Sequence, residues 1–204
     1  MLIPLSDVVK KYNLHLKGVV HVGAHWAQEH DAYLACGIKK MVYIEPTAKA
    51  FQLLQNKFAN NPDVLLINCA CGDTTGQQKM YTESSNQGQS NSFLKPKLHL
   101  RQHPEVVFNG EQVMEMRRLD DLHFNREDYD MLMMDCQGYE GFVLKGGLDT
   151  LKNFSVVYTE INKDYLYEGC TLIGELDTLL SDFNRVETNW CGRTDWGDAV
   201  YIRK

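Results

Sequence analysis

The sequence lacks what several function classes require. Positive charge is in deficit, with 21 Lys plus Arg against 27 Asp plus Glu and a net charge of −6. Phosphate neutralisation needs clustered positive charge, so neither nucleic acid nor an anionic membrane surface is an expected partner. No stretch approaches the roughly 18 apolar residues of a membrane helix. The opening MLIPLSDVVKKY has no charged region followed by a long apolar run, unlike a secretory leader. Six cysteines, at 36, 69, 71, 136, 170 and 191, never form the paired C-x2-C spacing of a structural zinc site. Several sit in apolar runs such as VLLINCACG, which reads as reduced, buried thiols in a cytoplasmic protein. Repeats and low-complexity blocks are missing too. Two phosphate-binding signatures also fail. Only one glycine, Gly23, follows the first apolar run, whereas the dinucleotide fingerprint needs three and the Walker loop needs G-K-[ST].

What is present is an ordinary globular composition, 44% apolar and 24% charged over 204 residues. That length predicts one domain spanning 1–204. The first third alternates short apolar runs with helical segments. A strand over Lys17–Val22 precedes a helix over Ala27–Cys36, closed by Gly37. A second strand, Met41–Ile44, precedes a helix capped by Thr47 with Ala50, Phe51, Leu54 and Phe58 on one face, and a third strand covers Val64–Asn68. A β-α-β-α-β order implies a parallel sheet with both faces covered, whose ligand lies beyond the strand C-termini.

The middle, about 72–128, reads as an insertion, with a polar loop YTESSNQGQSNS and a hairpin turning at Asn109-Gly110. Alternation resumes with a strand Tyr129–Met134, a helix Gly138–Lys145, a strand Ser155–Thr159 and a helix Leu172–Leu180. The last two strands, Arg185–Asn189 and Ala199–Ile202, have too short a separator for a crossover and are expected to pair antiparallel.

Four predicted strand ends carry Gly23, Glu45, Asp135 and Glu160. A glycine after the first strand lets backbone approach a ligand. An acid ending the second strand, 22 residues on, suits the hydroxyls of a ribose. A ribose acid without a phosphate cradle points to an adenosine ligand lacking phosphates, and S-adenosylmethionine fits.

At this point the chain resembles the FkbM-type methyltransferases over roughly Lys17 to Arg203. The matching runs are VHVGAHWA at 20–27, IEP at 44–46 with Phe51 and Leu54 downstream, NCACGD at 68–73, GQSNS at 88–92, MMDCQGYEGFVLKG at 133–146 and GDAVYI at 197–202. Departures from the family pattern are His21 for an acid, His25 for asparagine, Ala27 for a second glycine, Met133 for a common lysine and Gln137 for glutamate.

The resemblance implies an α/β Rossmann-like class I methyltransferase fold. Its sheet would be seven-stranded and mostly parallel, with an antiparallel C-terminal strand pair and a hairpin insertion. It implies S-adenosyl-L-methionine as cofactor, held by His21, Gly23, Ala24, His25, Glu29, Glu45, Pro46, Ala70, Ser90 and Asp135. The expected activity is O-methylation of a sugar hydroxyl, such as that of a rhamnose in a glycan. A polyketide or other small-molecule hydroxyl is the alternative acceptor. Hydroxyl acceptors need a base, for which Asp135 comes first, then Glu160 and His25. Trp26, Asn91, Gln137, Tyr139, Tyr165, Trp196 and Asp198 are the expected acceptor contacts, and His99 and His103 belong to the insertion that would line the acceptor pocket. No metal is expected, although Asp135, Glu160 and Asn162 imitate the oxygen-ligand set of some related O-methyltransferases. The expected partner is a small-molecule or glycan acceptor. A role as one module of a larger glycan-synthesis protein, or as a homo-oligomer, stays open. Two other classes also stay open, an NAD-dependent oxidoreductase and a non-catalytic module that only binds the adenosyl cofactor.

Overall fold

A computed structural model describes residues 1–204. Its main sheet has seven strands. They are β1 (Gly18–Val22), β2 (Lys40–Ile44), β3 (Val64–Ile67), β7 (Met131–Met134), β8 (Val156–Asn162), β9 (Phe183–Trp190) and β10 (Trp196–Arg203). Their order is β3-β2-β1-β7-β8-β10-β9. β1 pairs parallel with β2 and β7, β2 with β3, and β7 with β8. β10 runs antiparallel to both β8 and β9, so the late strand pair forms as expected. The chain reverses direction across the sheet between β2 and β7, on either side of β1, which opens a crevice at the strand C-termini.

Alternation sorts the two faces. Val20, Val22, Val42, Ile44, Leu132 and Met134 pack with α5 (Glu140–Lys145) and α6 (Ile173–Leu179) on one side. Val19, Met41, Tyr43, Met133 and Tyr158 pack on the other with α1 (Leu5–Lys11), α2 (His30–Ala35) and α3 (Ala48–Phe58). The same alternation places His21, Glu45, Asp135, Glu160 and Asp198 on the α1–α3 side, at or near the strand ends. Helix α3 buries Ala50, Leu54 and Phe58, as its sequence spacing predicts.

Three local expectations need correction. Helix α2 starts at His30, not Ala27. His25 and Ala27 have φ of +47° and +54°, which breaks any helix across 25–29 and moves its N-terminus away from Gly23. Asn109-Gly110 is not a hairpin turn. It lies inside β6 (Phe108–Arg117), where Gly110 pairs with Thr82 of β5 (Gly76–Glu83). A Cβ on Gly110 would sit 2.7 Å from the Thr82 hydroxyl, so the glycine serves close strand approach. With β4 (Ala70–Cys71), these strands form a second, three-stranded sheet in the order β4-β6-β5. Part of the polar stretch expected as loop, up to Glu83, is therefore strand. The short α4 (His99–Gln102) and three 3-10 turns, Leu119–Asp121, Arg126–Asp128 and Thr150–Asn153, complete the elements.

Candidate active site

The crossing of β1 and β7 is fixed by Gly23. Its φ is +78°, and a Cβ there would stand 2.0 Å from the Asp135 carbonyl oxygen. Only glycine lets these strand ends meet. The N–H groups of Gly23 and Ala24 both donate to the Ile44 carbonyl, binding the turn to β2. Glu45 follows directly. It is buried, and its carboxylate accepts the backbone N–H of His25 (3.0 Å) and of Thr47 (2.8 Å). Burial raises its pKa, and these hydrogen bonds oppose the rise.

These groups bound a cleft of about 790 Å³. Glu45, Pro46 and Thr47 form one wall. Cys69, Ala70, Cys71, Phe93 and Tyr139 make an apolar, sulfur- and aromatic-lined end, with Tyr139 stacked on Phe142 at 4.3 Å. His21, Gly23 and Asp135 line the cleft as well. His21 is neutral there, because burial drives its pKa down to about 4 and its Nδ1 meets the Tyr33 hydroxyl at 3.1 Å.

The turn after β7 explains the densest sequence motif. Glu140, fully buried at the start of α5, accepts the N–H groups of Cys136 (2.8 Å) and Gly138 (3.3 Å) through one oxygen. Gln137 and Gly138 both take positive φ, +52° and +92°. That conformation brings the Gln137 amide between two carboxylates. Its Nε2 donates to Asp135 Oδ1 and to Glu160 Oε2, each at 2.8 Å, and its Oε1 accepts the Tyr167 hydroxyl at 2.9 Å. Glu160 is buried, and burial together with the charges of Asp135 and Glu140 holds its pKa well above the usual carboxylate range. Asp135 is the exposed member of the pair.

A second cleft, about 800 Å³, shares Gln89, Asp135 and Gln137 with the first. Glu160, Ser90, His99, His103 and Trp196 also line it. The roof over both clefts is the loop after β5, wound around the buried Glu83 carboxylate, which accepts the N–H groups of Asn86 and Gly88.

The residues anticipated from sequence therefore divide. His21, Gly23, His25, Glu29, Glu45, Pro46, Ala70 and Asp135 line the first cleft. Ala24 is fully buried beneath it, and Ser90 faces the second cleft instead. Of the expected acceptor contacts, Trp196 lines the second cleft, Asn91 and Tyr139 line the first, and Gln137 lines both. Trp26 packs on His25 with ring centroids 4.1 Å apart at a tilt of 39° and borders a separate groove. Tyr165 is half-exposed under the Lys97 ammonium, outside both clefts. Asp198 is buried, accepting the Leu2 N–H and the Tyr158 hydroxyl. His25 sits on a turn rather than leading a helix, and its Nε2 meets the Gln87 carbonyl at 3.1 Å. Asn162 is fully buried with both amide atoms unpaired, and no group of three His, Cys, Asp or Glu side chains is placed to hold a metal ion. Sequence reasoning missed Phe93, Glu83 and the bracing role of Glu140. For Glu140 the signal was present in its spacing from Gly138. For the other two the loop offered no periodicity to read.

Residues 21–186 match the methyltransferase FkbM domain. The 2-O-methyltransferase NoeI of Sinorhizobium fredii (strain NBRC 101917 / NGR234) is 38% identical over 99 residues, which is 48% of this chain and 41% of that protein. Among solved structures, Streptococcus pneumoniae Sp1610 in complex with S-adenosyl-L-methionine superposes with a TM-score of 0.54 at 12% identity, over 100% of this chain and 73% of that one. The ribosomal protein L11 methylase of Lactobacillus delbrueckii subsp. bulgaricus also gives 0.54 at 12% identity, over 98% of this chain and 76% of that one. These two likenesses establish the Rossmann-like methyltransferase fold, and the domain match favours a methyltransferase over the oxidoreductase alternative. With its crevice, strand order and motif turn in place, the chain belongs to the FkbM methyltransferase family.

Proposed function

We propose that the protein transfers a methyl group from S-adenosylmethionine to a sugar hydroxyl, a deoxysugar such as rhamnose in a glycan being the favoured acceptor. One observation carries this reading: Asp135 and Gln137 form the common wall of two clefts. The first cleft has the features an adenosyl cofactor needs. Glu45 faces it with Oε2 able to accept a ribose hydroxyl beside the His25 N–H, Oε1 being taken by the N–H and hydroxyl of Thr47, and the end lined by Phe93 and Tyr139 suits an adenine. When bound, the cofactor supplies an already activated methyl on a sulfonium, so the chain's task is alignment and deprotonation.

Asp135 does the second. It takes the acceptor hydroxyl proton as the oxygen attacks, and the Gln137 amide fixes its carboxylate orientation. The second cleft is mostly polar, with Ser85, Asn86, Gln89 and Ser90 beside Trp196. Hydroxyl-bearing rings match such a lining better than an apolar polyketide does. The name of the Sinorhizobium relative supports O-methylation specifically.

Substitution tests the reading. Asp135→Asn is expected to lower turnover about 10²–10⁴-fold, the usual contribution of a positioned base. Calorimetry should find cofactor affinity within a few fold of wild type. A loss of turnover below tenfold would remove Asp135 as the base. Undiminished cofactor binding by a protein that methylates none of a broad glycoside panel would favour the binding-only module.

A further inference from the structure

The second cleft has a chemical character of its own. None of its thirteen lining residues is Lys or Arg, whereas Glu105, Asp135 and Glu160 all face it. A phosphate or sulfate on a ligand would meet the acidic side chains of Glu105, Asp135 and Glu160 and no Lys or Arg, with His103 turned to Glu105 at 3.5 Å. Phosphate recognition relies on the opposite arrangement, guanidinium or ammonium groups and converging backbone N–H donors.

Its wall also holds an unsatisfied polar group. His99 is 4% exposed, and its Nδ1 is buried without a hydrogen-bond partner. The ring is wedged among Tyr167 (5.3 Å), Phe108 (5.4 Å, edge-on) and His103 (4.9 Å). Burial, reinforced by His103, lowers its pKa to about 4, so at neutral pH it is an uncharged imidazole. Such a ring carries one donor and one acceptor nitrogen, which complements a hydroxyl and offers nothing to a phosphate dianion. Buried polar atoms without partners are rare and call for an explanation. His99 lines this cleft, so a ligand hydroxyl seated against it, with a small turn of the ring, would supply one.

We propose that the second cleft is the acceptor subsite and selects an uncharged, unphosphorylated polyol, with His99 as a specificity-determining residue that hydrogen-bonds a sugar hydroxyl. The inference rests on the methyl-transfer reading above and narrows it. The reacting sugar is presented as a neutral glycoside, after any phosphate or nucleotide carrier has been displaced. The reaction that supplies this substrate is therefore a glycosyl transfer.

The test compares neutral rhamnoside, xyloside and glucoside with their monophosphate esters and nucleoside-diphosphate forms. Three quantities are read: kcat/KM by mass spectrometry of methylated product, acceptor binding by tryptophan fluorescence in the presence of S-adenosylhomocysteine, and cofactor binding by calorimetry. At least one neutral glycoside should bind, and its phosphorylated forms should bind or react at least tenfold less well. His99→Phe should raise the KM or Kd of that glycoside at least tenfold while leaving the cofactor Kd within twofold. His99→Gln, which keeps a hydrogen-bonding end, should recover part of the loss and guards against a merely misfolded Phe variant. Equal or better use of the phosphorylated forms, no binding of any neutral glycoside, or an unchanged acceptor constant in both His99 variants would overturn the proposal. Failure of the underlying reading looks different: S-adenosylmethionine would not bind, whatever the acceptors do.

Discussion

Single residues in this site carry geometric demands that can be ranked. Gly23 is the most constrained. Its positive φ costs a side-chain-bearing residue about 1–2 kcal/mol, and a Cβ 2.0 Å from the Asp135 carbonyl forces β1 and β7 apart. Overpacking of that kind adds about 1–3 kcal/mol. Gly23→Ala is therefore expected to lose roughly 2–5 kcal/mol in urea unfolding and to weaken cofactor binding, because Gly23 lines the first cleft and its turn carries the His25 N–H that holds Glu45. A change within 0.5 kcal/mol would show that the strands yield more easily than the geometry requires. Gln137 is a different case. A glutamate is usual at this motif position in the family it resembles, yet here an amide donates to two carboxylates at once. A third carboxylate would face Asp135 and Glu160 with only the Tyr167 hydroxyl donating to it. From sequence the substitution reads only as a lost charge. That an amide bridges two acids depends on the positive φ of Gln137, which no local pattern announces.

At the scale of elements, the roof over both clefts depends on one buried side chain. The Glu83 carboxylate accepts N–H groups from Asn86 (2.5 Å) and Gly88 (2.6 Å) on different oxygens. Glu83→Gln puts an NH2 group against one of those donors, so one bond becomes a clash of donors. Losing a hydrogen bond to a charge costs about 1–3 kcal/mol. Hydrogen exchange at Asn86 or Gly88 should accordingly accelerate about 10- to 100-fold, with the core strands unchanged. Uniform acceleration across β1, β2 and β7 would instead indicate global destabilisation. The elements also show what a sequence can announce. The parallel strands are buried on both faces, so GVVHV, KMVYI and MLMM stand out as apolar runs. Strands β5 and β6 are largely exposed, with polar residues along both faces, so no period of two marks them. Their pairing joins residues 76–83 to 108–117 across the roof loop. A local reading has no access to that partner, and Asn109-Gly110 therefore passed for a turn.

For the whole molecule, the consequence of gathering acids at one sheet edge is a pH-dependent stability. Glu140 is the clearest source. Its pKa is pushed up to about 7 by burial, with Asp135 adding to the rise, against 4.5 for an ordinary glutamate. Between those two pH values the folded protein binds more protons than the unfolded chain, so stability falls as pH rises. The contribution is fully present below about pH 4.5 and is lost by about pH 7, for a total of up to about 3 kcal/mol. Glu160 acts in the same direction. The buried histidines His21 and His99 act oppositely, since both are held neutral with pKa near 4, and their contribution grows as pH rises toward 6.5. A stability profile of the wild type alone would blur these opposing slopes. Comparison with Glu140→Gln isolates one of them. The amide keeps an acceptor for the Cys136 and Gly138 N–H groups but cannot ionise. Urea unfolding at pH 5, 6, 7 and 8 should show the variant gaining on the wild type steadily with pH, most steeply between 5 and 7. A difference that stays constant across that range would mean Glu140 is ionised throughout, with its unpaired oxygen solvated rather than buried. The gain expected of Glu140→Gln at high pH also identifies what the acid costs the fold. The turn after β7 keeps an ionisable brace beside Asp135, where an amide would hold the same backbone groups at a lower free-energy cost above pH 7.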